Sequence, residues 1–165
     1  MKRSVVLIGP MGVGKTTIGK KLSKKLDLPF IDTDQVIVKE HGAITEIFAK
    51  RGESYFRSLE DKAVSEAIDS LAVVATGGGS VLSFENQKKF KEARVVYLAT
   101  DGRHMRSRLS KNTRPLLKNG FEDWLRIYAE RKPLYEALSD IEVDTSGKSL
   151  SVVVTEIMEK LISHD

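Results

Sequence analysis

The sequence predicts an α/β protein in which a five-stranded parallel sheet lies between two layers of helices. Three observations lead to that class. Short runs of β-branched and apolar residues recur along the chain, continuous rather than alternating, as in strands buried on both faces. Stretches with helical periodicity separate these runs, and strands joined through helices imply crossovers and parallel pairing. The chain has 165 residues, 41% hydrophobic and 30% charged, which suits one cored domain spanning 1–165.

The elements follow in order. Val5–Ile8 is the first strand; after a glycine-rich turn, Ile18, Leu22 and Leu26 recur at helical spacing among lysines. Pro29–Ile31 is the second strand, ending at Asp32. Residues 35–69 read as helix in two or three pieces, with Gly42 and Gly52 as breaks and Ile44, Ile47 and Phe48 on one face. Leu71–Ala75 is the third strand and runs into Gly77-Gly78-Gly79. Val95–Leu98 is the fourth, followed by a helix around 101–110. Residues 111–120 hold turn formers, a proline and several cations, and read as a mobile loop. A long helix at 122–138 is expected to kink or break at Pro133. Ile141–Val143 is the fifth strand, and 149–163 closes the chain as a helix.

Composition narrows the function. The formal charge of +4 is mild, and no basic tract is long enough to favour nucleic acid over small anions. Lys20-Lys21 and Lys24-Lys25 are spaced like the exposed face of a helix. With no cysteine, disulfide scaffolds, thiolate zinc sites and cysteine nucleophiles are excluded. The apolar run after Met1-Lys2-Arg3 is broken by Gly9-Pro10, too early for a signal peptide. No stretch approaches the roughly 20 apolar residues of a membrane helix. The expectation is a cytoplasmic enzyme.

Gly9-Pro10-Met11-Gly12-Val13-Gly14-Lys15-Thr16 fits the phosphate-loop pattern G-x-x-x-x-G-K-[ST], between a buried strand and a helix. Backbone N–H groups and the helix N-terminus of such a loop form a nest for phosphate oxygens. Lys15 is placed to bridge the β- and γ-phosphates, and the Thr16 hydroxyl to ligate Mg²⁺. The third strand ends in Thr76 and glycines rather than a metal-positioning Asp, and no Asn-Lys-x-Asp guanine signature occurs. Asp144-Thr145-Ser146-Gly147 fits D-x-x-G only by chance. A compact metabolite or nucleotide kinase remains.

The acceptor side is read from residues with two readings each. Asp32 is suited to hold Mg²⁺ through water; Asp34 either caps the helix at Gln35 or serves as base for the attacking hydroxyl. Arg57, with Glu53 before it and Glu60 and Asp61 after it, is a surface ion-pair partner or a clamp on a substrate carboxylate oriented by Glu60. Gly77-Gly78-Gly79 is a tight turn or a floor that lets a ligand touch backbone. Arg131 is a solvated helix residue or a further cation of the site. Arg114 is a cation on the mobile loop, able to close over ATP. Arg106 or Arg108 stacks on adenine, or neither does.

In their order, six segments resemble the shikimate kinases over nearly the full length of the chain. They are the phosphate loop, Asp32-Thr33-Asp34, Phe56-Arg57 with Glu60, Thr76-Gly77-Gly78-Gly79, Arg114-Pro115-Leu116-Leu117, and Arg131-Lys132-Pro133-Leu134-Tyr135. The resemblance implies a P-loop fold of the nucleoside-monophosphate-kinase type with a mobile lid at about 111–121. It implies MgATP-dependent transfer to the shikimate 3-hydroxyl, in aromatic amino-acid biosynthesis. Shikimate would be bound by Asp34, Arg57, Gly78 and Arg131, with the shikimate-binding helical region at about 33–61. ATP would be held by Met11, Gly12, Val13, Gly14, Lys15, Thr16, Thr17, Arg108, Arg114 and Lys148. Thr16 and Asp32 would serve the metal, and Asp34, Lys15 and Arg114 the transfer itself. The expected partners are ATP and shikimate, with neither nucleic acid nor membrane, acting on a monomer. A gluconate or nucleoside-monophosphate kinase is the alternative.

Overall fold

The computed structural model describes residues 2–109, 117 and 119–164. Five strands form one sheet: β1 (Val5–Ile8), β2 (Phe30–Asp32), β3 (Val73–Ala75), β4 (Arg94–Ala99) and β5 (Ile141–Asp144). All neighbours pair in parallel, in the order β2-β3-β1-β4-β5. The chain runs from central β1 to the edge, returns to β3, then crosses to β4 on the other side of β1. The order therefore reverses beside β1, and open parallel sheets bind ligands at such a reversal, beyond the strands' carboxyl ends.

Helices cover both faces. On one lie α1 (Lys15–Leu26) and α8 (Leu150–Ser163), whose Ile18, Leu22, Val153, Ile157 and Leu161 pack against Val5, Leu7, Val96 and Leu98. On the other, α4 (Glu53–Asp69), α5 (Phe84–Phe90) and α7 (Phe121–Leu138) bring Val64, Ile68, Phe90 and Tyr135 onto Val6, Ile8, Val74 and Tyr97. Successive β1 residues thus feed opposite layers, which is why the run is apolar throughout. Each such side chain contributes about 1.5–3 kcal/mol on full burial.

The stretch after β2 folds as α2 (Thr33–His41), α3 (Ile44–Arg51) and α4, divided at Gly42 and Gly52. Both glycines have positive φ, 90° and 85°, a conformation that a side chain disfavours, and each stands at an expected break. Ile37, Ile47, Phe56 and Ala63 form a small core of their own there, joined by Ile44 and Phe48.

Two expectations are corrected, and two short elements are new. The expected break at Pro133 is absent, because α7 runs on through that residue. Proline removes one hydrogen bond to the carbonyl of Ala129, but Trp124, Ile127 and Tyr135 bury one face of the helix on both sides of it, and packing overrides the local penalty. The helix before the loop, here α6 (Met105–Leu109 among the described residues), starts at Met105 rather than around 101. A 3-10 turn at Ser80–Leu82 and α5 were not foreseen. Ser83 caps α5 by accepting from Asn86 N–H, a signal present in the sequence but too short to carry periodicity.

Candidate active site

The phosphate loop joins β1 to α1 at the reversal point. At Gly9 the backbone has φ 149°, and a Cβ would stand 2.6 Å from the Leu98 carbonyl oxygen, so no side chain fits between the loop and β4. Lys15 arches back over the loop, its Nζ donating to the carbonyls of Gly9 at 2.6 Å and Pro10 at 2.9 Å. Thr16 Oγ1 donates to Asp32 Oδ2 at 2.6 Å. Val13 is buried in the core beneath the loop.

A cavity of about 350 Å³ opens beside the loop, lined by Gly12, Thr17, Arg108, Thr145 and Lys148 among others. Arg108 donates to the Gly12 carbonyl at 2.9 Å. Arg106 points elsewhere, its guanidinium 4.7 Å from the centre of the Phe121 ring. Of the two arginines open in the sequence, Arg108 is the one at this cavity. Lys148 is there too, in a 2.9 Å ion pair with Glu156. Thr145 lines the same space.

A second cavity, of about 220 Å³, lies at the carboxyl ends of β1, β2 and β3 and brings Met11, Lys15, Thr16, Asp32, Asp34 and Gly78 together. Asp32 is the residue that caps α2, accepting from Gln35 N–H at 3.2 Å. Asp34 stands in the first turn of that helix, so the capping reading of Asp34 is corrected and its carboxylate faces the cavity.

Gly77, Gly78 and Gly79 form a floor on which charged groups rest. A Cβ at Gly77 would meet Glu60 Oε2 at 2.8 Å and Asp34 Oδ1 at 3.0 Å. At Gly78 it would meet Met11 and, at 3.5 Å, Arg131 Nη1; at Gly79 it would strike the Arg57 guanidinium. Arg131 is 7% exposed, which removes its reading as a solvated helix residue. Arg57 pairs with Glu53 at 3.2 Å and with Glu60 at 2.9 Å. Burial alone would lower the Arg57 pKa, but the charges and hydrogen bonds of Glu60 and Glu53 outweigh it and raise it, so the guanidinium stays charged. Arg114 lies outside the described residues, as does most of the proposed lid.

Glu60 is wholly buried, and that burial pushes its carboxyl up to about 7; Arg57 opposes the shift and Asp34 adds to it. Between the ordinary value of 4.5 and about 7 the folded protein binds the proton more than the unfolded chain does. Stability from this group is therefore greatest at low pH and declines as pH rises through that window. Urea unfolding should show wild type losing stability relative to Glu60→Gln from about pH 4.5 to about 7 and levelling above. A relative stability that rises across this window would contradict the assignment.

Thr16 and Asp32 are hard oxygen donors converging beside Lys15, and they fit Mg²⁺. Among the described residues no cluster of three or more His, Cys, Asp or Glu forms a self-sufficient metal cage. Magnesium suits such a place, because it keeps waters and shares phosphate oxygens rather than needing an all-protein shell.

Two features were not singled out in the sequence. Trp124 Nε1 donates to the Met11 carbonyl at 2.7 Å, and Tyr135 Oη donates to the Gly78 carbonyl at 2.5 Å. Both come from α7, where Tyr135 lies one turn beyond Arg131; that spacing was the available signal.

A parallel sheet with this loop at its reversal, a hydroxyl–carboxylate pair beside it and a cationic acceptor pocket defines a P-loop kinase of the three-layer α/β/α type. A family model described as shikimate kinase matches residues 11–162. The shikimate kinase of Dictyoglomus turgidum is 37% identical over 98% of both chains. That of Rhodococcus jostii is 40% identical over 98% of this chain and 99% of its own. The solved shikimate kinase of Acinetobacter baumannii, in complex with shikimate, superposes with a TM-score of 0.91 at 33% identity, over 99% of this chain and 94% of that one. The chain belongs to the shikimate kinase family.

Proposed function

We propose that the protein transfers the γ-phosphoryl group of ATP to the 3-hydroxyl of shikimate, giving shikimate 3-phosphate and ADP. The observation that carries this reading is the shared cavity in which Asp34 and Gly78 face Lys15 and Thr16. Donor and acceptor machinery meet in one space, as in-line transfer requires.

The roles proposed for individual residues are these. The backbone of Met11–Thr17 cradles the phosphates, and Arg108 and Lys148 border the nucleoside end. Lys15 neutralises charge between the β- and γ-phosphates, with Arg114 closing over ATP from a lid at about 111–121. Thr16 would ligate Mg²⁺ and Asp32 would reach it through water, and the ion would screen the phosphate charge. Arg57 and Arg131 grip the shikimate carboxylate above the Gly78 floor, within and beside the helical region 33–61. Asp34 takes a hydrogen bond from the attacking hydroxyl and then its proton. Among the described residues no helix is long and apolar enough to cross a membrane. Action as a cytoplasmic monomer in aromatic amino-acid biosynthesis completes the proposal.

ADP release measured with shikimate, gluconate and a nucleoside monophosphate tests it. Turnover with shikimate is expected; turnover with either of the others and none with shikimate would favour the alternative kinase. Two charged guanidiniums opposite one carboxylate suit a hydroxylated carboxylic acid. Arg57→Ala should raise KM for shikimate by at least roughly 30-fold, since losing one partner of a desolvated charge pair costs about 2–5 kcal/mol. KM for ATP should hardly move. An unchanged shikimate KM would remove Arg57 from the site.

A further inference from the structure

We infer that Tyr135 is a positioning residue for the acceptor pocket: its hydroxyl holds the Gly78–Gly79 peptide against which Arg57 and Arg131 rest. The inference depends on the proposed reading of that pocket as the shikimate site.

Tyr135 is 1% exposed, and its hydroxyl donates to the Gly78 carbonyl at 2.5 Å. A trans peptide is rigid, so fixing that carbonyl fixes the orientation of the whole Gly78–Gly79 unit. The two α-carbons of the unit are the places where the cations sit. Space for a Cβ at Gly78 is bounded by Arg131 Nη1 at 3.5 Å, and at Gly79 it is filled by the Arg57 guanidinium. One hydroxyl therefore sets the floor under both arginines. The Arg131 guanidinium, one turn earlier on α7, also lies close enough to the Tyr135 hydroxyl to interact with it.

The ring itself is held independently of the hydroxyl. It stacks on Tyr97 at 5.3 Å between centroids and 27° between planes, within the core of the α4, α5 and α7 face. Glycine is the most pliable backbone there is, and three in a row have no side chains to anchor them. An external tether is what such a segment needs if it is to present two guanidiniums at fixed separation. Preorganisation of that kind appears in binding of the group it serves, here the carboxylate.

The test is Tyr135→Phe, which keeps the ring and its stack and removes only the hydroxyl. Tyr97→Phe is the structural control: it deletes a hydroxyl from the same core, one bonded to Tyr128 Oη at 2.5 Å rather than to the glycine floor. Steady-state kinetics and thermal unfolding are measured for both. Tyr135→Phe is expected to raise KM for shikimate about tenfold, with KM for ATP and kcat within about twofold. Tyr97→Phe is expected to lower Tm and leave shikimate KM unchanged. An unchanged shikimate KM in Tyr135→Phe, or equal rises in shikimate and ATP KM in both variants, would overturn the positioning role. Failure of the wild type to use shikimate would instead remove the underlying reading of the pocket.

Discussion

Asp34→Asn should lower kcat by roughly 10²–10⁴-fold, the usual scale for removing a general base, while KM for ATP stays nearly constant. The amide keeps the size of the carboxylate but can neither accept the proton nor carry charge. The structure makes this a clean substitution. The cap of α2 is Asp32, which accepts from Gln35 N–H, so changing Asp34 leaves the helix start intact. Asp34 also faces the same cavity as Lys15 and Thr16, whereas its neighbour Asp32 is tied to Thr16 Oγ1 at 2.6 Å. The two carboxylates therefore separate by experiment: Asp34→Asn should spare the magnesium dependence, and Asp32→Asn should alter it. Steady-state rates at saturating shikimate, over a magnesium titration, read both. Full kcat in Asp34→Asn would show that the acceptor hydroxyl needs no carboxylate.

Lys15→Met should reduce kcat/KM for ATP by about 10²–10³-fold, the loss usual when one preorganised donor to developing charge is removed. Methionine retains the unbranched stem and discards the ammonium. That ammonium lies across the loop, bonded to the Gly9 and Pro10 carbonyls. The same substitution leaves those two acceptors without their donor, a net cost of about 0.5–1.5 kcal/mol per hydrogen bond. Thermal unfolding, run alongside the kinetics, separates the two effects. A modest fall in Tm with a hundredfold kinetic loss supports a role on phosphate charge. A fall in Tm with kinetics near wild type would reduce Lys15 to a strut of the loop.

The donor half of the site was legible because its chemistry is local. A phosphate nest needs glycines, a lysine and a hydroxyl within eight consecutive residues, flanked by a buried strand and a helix, so the pattern survives in one dimension. The sheet was legible for a related reason, since double-sided burial writes continuous apolar runs. The proposed acceptor half is assembled from α2, α4, the loop after β3 and α7, and its members carry ordinary explanations singly. Arg57 does make the helix ion pair with Glu53 that its spacing suggests. Only the fold reveals that Glu60 is wholly buried and that Arg131 reaches the same glycine floor. In the sequence these became specific through their order and the resemblance it carried.

What failed to show failed for physical reasons. Pro133 signals a break by its missing N–H, yet the apolar face of α7 is fixed before and after it. Residues 84–90 form a helix too short for a hydrophobic period to emerge, held by a serine cap and the burial of Phe90. Tyr135 and Trp124 are buried aromatics; their polar tips, bonded to the Gly78 and Met11 carbonyls, are what the sequence could not aim.

The most direct test is the product itself. Incubation with MgATP and shikimate, followed by phosphorus and proton NMR, should yield a single new phosphomonoester whose phosphorus couples to the proton on carbon 3, with ADP formed in equal amount. A phosphomonoester on another hydroxyl, or ADP accumulating with no shikimate ester, would contradict the account.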